Sequence, residues 1–260
     1  MRTVLGCVAI AISVAFAIAS TPFAHPATSV ERGVRKQYAA VAFDYLVLFD
    51  PDSVVSAVDR IAHGRGREFT SMWRTRQFEY SWLRSISGRY VDFSAITSDA
   101  LRYTANAMHI ELTAVERDQL LDAYSRLTPW PDTVEALRRL RAADLRVITI
   151  ANFSPTMLRE NAERAGLTPL FDALVSTDAN HTYKPDPRAY QLGVDRLKLD
   201  KRDIVFAAFG GWDAAGAKSY GYPTVWVNRL NQPPEELGLH PDRTVTDLNG
   251  LLDFVLEQSR

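Results

Sequence analysis

The feature that most constrains this chain is a repeated unit: a short apolar run that stops at a polar residue, followed by a segment of helical periodicity. Ala39–Phe43 stops at Asp44. Leu145–Ile150 leads into Ala151-Asn152-Phe153-Ser154, and Ala173–Val175 precedes the stretch Lys184-Pro185-Asp186-Pro187. Ile204–Ala208 leads into Phe209-Gly210-Gly211-Trp212-Asp213, and Thr224–Val227 is the last such run. Runs that are continuously apolar read as strands buried on both faces. The intervening segments, about 132–143, 155–166, 187–198 and 212–220, read as helices, and Ser154-Pro155 supplies an N-cap followed by a proline at the first helical position. Strands alternating with helices predict an α/β fold: a Rossmann-like parallel sheet with helices on both faces.

Residues 53–127 interrupt the alternation with helical patterns alone, around 54–63, 68–86, 94–108 and 114–127, before Pro129 and Pro131 mark a return. This predicts a helical cap inserted after the first strand. The expected organisation is a core of 38–52 plus 130–260, with a cap at 53–129. Ahead of both, residues 1–19 carry Arg2 and then an uncharged stretch ending Ala17-Ile18-Ala19. That is a signal-peptide pattern, so export to the periplasm or outside, with cleavage after Ala19, is expected. Residues 20–37 read as a tether. The one cysteine, Cys7, would leave with the leader.

Charge excludes some functions. With 30 basic and 31 acidic residues the chain has no strong field of one sign, which argues against a nucleic-acid partner. Five dispersed histidines and a single cysteine offer no zinc-site spacing.

In an open α/β sheet, ligands bind beyond the carboxyl ends of the strands. The residues there are Asp44, Asn152, Lys184 and Asp213. Each has an ordinary structural explanation: a turn aspartate, a turn asparagine, a solvated lysine, a carboxylate in the first turn of a helix. Taken together they also offer a nucleophile, a cation for an anionic substrate, and a second carboxylate to position water.

Beyond these strand ends, the chain carries Val41-Ala-Phe-Asp44, Leu48-Phe-Asp50, Gly64-Arg-Gly-Arg-Glu68, Met72-Trp-Arg74 and Gln77 to Ser85. It also carries Arg89-Tyr-Val91, Tyr183-Lys-Pro-Asp186, Trp212-Asp-Ala214 and Trp226 to Arg229. With these it resembles the haloacid dehalogenase superfamily, and within it the L-2-haloacid dehalogenases, over about residues 39–258. The resemblance implies a hydrolase without metal or other cofactor that acts on a small-molecule 2-haloalkanoate. Asp44 would displace halide from C2 and form an ester. Arg74 and Asn152 would receive the halide. Lys184 and Tyr190 would hold the charged site, and Asp213 would activate the hydrolytic water. The product would be the (R)-2-hydroxy acid from an (S)-2-haloacid. Tyr45, Phe78, Phe93 and Trp212 would contact substrate, although Phe78 and Phe93 are equally readable as core aromatics. The resemblance also implies a homodimer.

The chain departs from the family pattern at four positions. Its first loop is one residue short, with Val47 where a threonine is usual. Ala151 and Ala208 stand in place of serines, and Gly210 in place of an asparagine. Losing one hydrogen bond to a charged group costs about 1.5–3 kcal/mol. A non-catalytic or binding descendant of the scaffold is therefore the alternative. A magnesium-dependent phosphatase is disfavoured, because Leu46 and Phe209 occupy positions where that chemistry needs carboxylates.

Overall fold

The computed structural model describes residues 38–256. The expected leader, the tether and Cys7 lie outside the described residues. Seven strands are present among those described: β1 (Ala40–Phe43), β2 (Phe49–Asp50), β3 (Thr128–Pro129), β4 (Arg146–Thr149), β5 (Ile204–Ala208), β6 (Thr224–Val227) and β7 (Arg243–Val245). Five form one sheet in the order β4-β1-β5-β6-β7, and every pairing is parallel. The period-two geometry of a strand sends alternate residues to opposite faces. Val41, Phe43, Val147, Val205 and Ala207 enter one apolar cluster, while Ala40, Ala42, Ile148, Phe206 and Ala208 enter the other. This is why the runs are apolar throughout: both faces are covered.

The helices are α1 (Tyr45–Leu48), α2 (Val55–Ile61), α3 (Gly66–Ile86), α4 (Phe93–Ala107), α5 (Ala114–Ala123), α6 (Thr133–Ala142), α7 (Pro155–Arg164), α8 (Pro187–Leu197), α9 (Gly211–Tyr220) and α10 (Leu248–Leu256). Their starts follow the capping chemistry of the sequence. Asp92 accepts from Ala95 N–H, Thr113 and Glu116 form a reciprocal capping box, and Ser154 accepts from Met157 N–H with Pro155 at the first position. Helices α2 to α5 lie between β2 and β3, which pair antiparallel as Phe49 with Pro129 and Asp50 with Thr128. The chain thus leaves and re-enters the sheet layer at one two-stranded joint. That joint is too short to show as a periodic pattern.

Two expected elements differ. Ala173–Val175 is not a strand, since only isolated parallel bridges join Ile148 to Ala173 and Ala151 to Ser176. Between them the Thr149 hydroxyl takes the Val175 N–H at 2.8 Å, so a side chain replaces a rung of the ladder. Helix α5 ends at Ala123 rather than near 127, because the Asn161 Oδ1 captures Leu127 N–H at 2.7 Å and pulls the chain out of the helix. Neither competitor is visible in local periodicity. Helices α1 and α10 and strand β7 have no counterpart among the sequence expectations.

The shortened first loop has a definite structure. It becomes the single helical turn α1, with Asp44 as its N-cap. The carbonyls at its end are all claimed: Leu46 O by Trp130 Nε1, Val47 O by Arg229 Nε, and Leu48 O by Trp130 N–H and the Thr133 hydroxyl. Arg229 is itself anchored on Asp132. These partners satisfy groups that a helix end otherwise leaves orphaned.

Candidate active site

Register decides where the site forms. Phe43 pairs with Thr149 on one side and Ala207 on the other, so β1, β4 and β5 end at one level. Asp44 follows directly, its backbone N–H bonded to Ala207 O, while Ile150 N–H bonds to Phe43 O. Asp44 is held at both oxygens: Oδ1 accepts from Leu46 N–H at 2.9 Å and Oδ2 from Lys184 Nζ at 2.6 Å.

Lys184 is the centre of the arrangement. Its side chain is fully buried, and Nζ also donates to Asp213 Oδ2 at 2.6 Å. The two carboxylates therefore lie within twice that distance of each other. The Lys184 backbone N–H is bound by Asn152 Oδ1 at 3.0 Å, and its carbonyl accepts from Trp82 Nε1 at 3.2 Å. Asp213 is bound at its other oxygen by the Tyr190 hydroxyl at 2.7 Å. Gly216 makes that contact possible, because a Cβ there would fall 2.4 Å from the tyrosine oxygen.

Burial opposes the charge of Lys184, yet the Asp213 and Asp44 carboxylates outweigh it and hold the ammonium above its ordinary pKa. Burial raises the Asp213 carboxyl to about 6, against the pull of Lys184 and with a further push from Asp44. Two carboxylates sharing one cation cannot both be relieved of their desolvation.

The site opens on a cavity of about 80 Å³ lined by Asp44, Leu46, Arg74, Phe78, Phe93, Asn152, Phe153, Phe209, Gly210 and Trp212. It is far smaller than the roughly 300–1,000 Å³ of a drug-sized site and suits a molecule of few heavy atoms. Arg74, Phe78 and Trp82 follow one another at intervals of four on α3, so one helical face carries all three to the site. Phe78 and Trp82 each meet Trp212 edge to face at 5.4 Å. Phe93, at the start of α4, stacks on Phe153 at 5.1 Å. Asn152 Nδ2 is buried with no hydrogen-bond partner in the protein, while Lys184 N–H fixes which end of the amide carries the oxygen. A buried unpaired donor at a cavity wall is costly unless a ligand uses it. Among the described residues no group of three or more His, Cys, Asp or Glu could hold a metal ion.

Of the ten residues singled out from the sequence, Asp44, Arg74, Phe78, Phe93, Asn152 and Trp212 line the cavity. Lys184, Asp213 and Tyr190 stand behind it as a buried chain. Tyr45 is not at the cavity: it packs on Phe49 and Phe153 and donates its hydroxyl to Leu158 O at 2.9 Å, so it is a core residue. Of the four departures, Val47, Ala151 and Ala208 are fully buried in apolar surroundings, and only Gly210 faces the cavity. Leu46, Phe153 and Phe209 line it without having been singled out as contacts. No local pattern distinguishes them from core residues. Asp52, which pairs with Arg74, was also missed.

Residues 28–221 match a family described as haloacid dehalogenase-like hydrolase. An (S)-2-haloacid dehalogenase of Pseudomonas sp. (strain YL) is 42% identical over 215 residues, covering 82% of this chain and 93% of that protein. Haloacetate dehalogenase H-2 of Moraxella sp. (strain B) is 35% identical over 221 residues, covering 85% of this chain and 99% of that protein. The crystal structure of the L-2-haloacid dehalogenase of Xanthobacter autotrophicus with chloropropionic acid covalently bound superposes with a TM-score of 0.80. It is 35% identical, and the match covers 84% of this chain and 98% of that one.

Proposed function

Since this chain belongs to the haloacid dehalogenase-like hydrolases, with (S)-2-haloacid dehalogenases among its relatives, we propose that it hydrolyses the carbon–halide bond of a small (S)-2-haloacid. The observation that carries the reading is the cavity itself. A carboxylate, Asp44, faces a chamber of a few heavy atoms in which Arg74 and the unpartnered Asn152 Nδ2 await an anion. In the proposed reaction an Asp44 oxygen attacks C2 as the C–X bond breaks, and the halide leaves towards Arg74 and Asn152. Guanidinium suits that anion because it is always charged and weakly hydrated. Aromatic walls exclude competing water.

Ester formation removes the charge of Asp44. Lys184 then pairs with Asp213 alone, and one of the influences raising the Asp213 carboxyl disappears. Asp213 is thereby left ionised, as a base for the water that hydrolyses the ester. As Asp213 takes a proton from the water, the water oxygen adds to the Asp44 carbonyl carbon. The acyl C–O bond of the ester then breaks, and Asp213 returns the proton to the departing oxygen. The 2-hydroxy acid leaves with Asp44 restored as a carboxylate and the second water proton released to solvent. The reaction is proposed to need no metal. Lys184 Nζ already bridges the two carboxylates, and Leu46 and Phe209 sit at the cavity where further ligands would be required. Export after cleavage at Ala19 is part of the same proposal and rests on the leader pattern alone.

The test is halide release from L-2-chloropropionate and bromoacetate in the presence of EDTA. Release with Asp213→Asn should stop after about one equivalent, and mass spectrometry should find the alkyl carboxylate attached to Asp44. Halide release that requires added metal, or a variant that turns over repeatedly with no adduct, would overturn the mechanism.

A pH dependence follows. Asp213 must be unprotonated to accept the proton, so turnover is present above its pKa and lost as pH falls through it. Its carboxyl stands at about 6 in the free protein and lower in the ester, so the acid limb of kcat is expected at or below about pH 6. The first-turnover burst should persist below that limb. Stopped-flow halide detection across pH separates the two steps.

A further inference from the structure

We propose that Asp52 is a positioning residue that aims Arg74 at the cavity and at the same time weakens its hold on the departing halide. This inference rests on the reading above that Arg74 is the anion receptor. Asp50 caps the short 3₁₀ turn Pro51–Val54 by accepting Asp52 N–H at 2.8 Å, and Pro51 fixes the backbone at its first position. That turn lies at the joint where the chain leaves the sheet layer for α2 to α5. It presents the Asp52 carboxylate to α3, where Oδ1 accepts from Arg74 Nη1 at 2.8 Å and Oδ2 lies 3.5 Å from Arg67 Nη1. The side chains are 29% and 18% exposed for Asp52 and Arg74, whereas Arg67 is 81% exposed. The Arg74 pair is thus the better shielded of the two.

The local charges explain why this matters. The site must accept a substrate carboxylate and then let go of a halide. Its cations are Lys184, already committed to two carboxylates, and Arg74. An unopposed guanidinium in a dry cavity would retain halide. A carboxylate bonded to one of its nitrogens fixes the orientation of the planar head and offsets part of its charge. The opposing carboxylate is only partly exposed, so salt screens it incompletely.

The prediction concerns chloride binding to the full-length protein, read by chloride NMR line broadening and defined as the component that Arg74→Ala removes. Asp52→Asn keeps an oxygen for Arg74 and deletes the charge. It should tighten chloride by at least about three- to tenfold, the size expected of one unit charge a few ångströms from the anion even when screened as in bulk water. Asp52→Glu restores the charge and should bring the dissociation constant back towards the wild-type value. Asp52→Ala removes charge and oxygen together, and should lower kcat further than Asp52→Asn at equal chloride. Chloride binding in Asp52→Asn within twofold of wild type, or weaker than wild type, would overturn the proposal. The binding measurement needs no turnover. A wild-type protein that binds chloride at Arg74 but releases no halide from substrate would therefore overturn the proposed activity and leave this comparison decisive.

Discussion

Asp44→Asn is expected to lower halide release by roughly 10⁴-fold or more, the scale on which removal of an attacking group acts. The substitution is nearly isosteric. The amide oxygen can still accept Leu46 N–H as the cap of α1, so the first loop keeps its shape. What is lost is the charge and the nucleophilic oxygen. A 10⁴-fold loss corresponds to about 5.5 kcal/mol of activation free energy. That is larger than the about 1.5–3 kcal/mol attached to any single missing hydrogen bond around the site. The fold should survive, because Lys184 keeps Asp213 as a partner at 2.6 Å. Ion chromatography of released halide, with a thermal melt as control, checks both halves. Halide release within tenfold of wild type would show that Asp44 is not the nucleophile.

Lys184→Met should unfold the protein more readily than any other single change at the site. Methionine fills the course of the lysine stem, one atom short, but leaves the Asp44 and Asp213 carboxylates facing each other without a cation, with Asp213 buried. Breaking a buried pair by removing one partner typically costs about 3–5 kcal/mol. For a domain of this size that is roughly 6–20 °C in Tm. The loss should depend on pH in a defined direction. Without Lys184 the main influence lowering the Asp213 carboxyl is gone, so its folded-state pKa rises further above the unfolded value. A group raised in this way favours the folded state at low pH and opposes it as pH climbs through the folded pKa. The deficit should therefore be largest near about pH 8 and shrink towards about pH 5. Calorimetric melts across that range test it, and a variant melting with wild type at about pH 8 would contradict the role given to Lys184.

Much of this site is legible in the sequence because a parallel sheet places its chemistry at one edge. Once the apolar runs 39–43, 145–150 and 204–208 are read as strands, Asp44, Asn152 and Asp213 must fall near one another, whatever the details of packing. The spacing of Arg74 and Phe78 on α3 likewise assigns them to one face before any neighbour is known.

The direction of each side chain is another matter. Tyr45 follows Asp44 directly, yet it turns into the core because Leu158 O, 113 residues away, takes its hydroxyl. Tyr190 reaches Asp213 only because Gly216 leaves the space. The positions that depart from the family pattern as Val47, Ala151 and Ala208 are packed as apolar core and form no part of the cavity lining.

The sequence alone determined the alternation of strand and helix, the inserted helices, and the polar residue waiting at each strand end, because those follow from local periodicity and chain direction. Only the tertiary structure decided three further things. Lys184 is the shared partner of two carboxylates, Asn152 Nδ2 is left without a partner, and Asp52 opposes Arg74. Each depends on atoms brought together across tens of residues, where burial removes water and makes every charge and donor answer to its nearest neighbour.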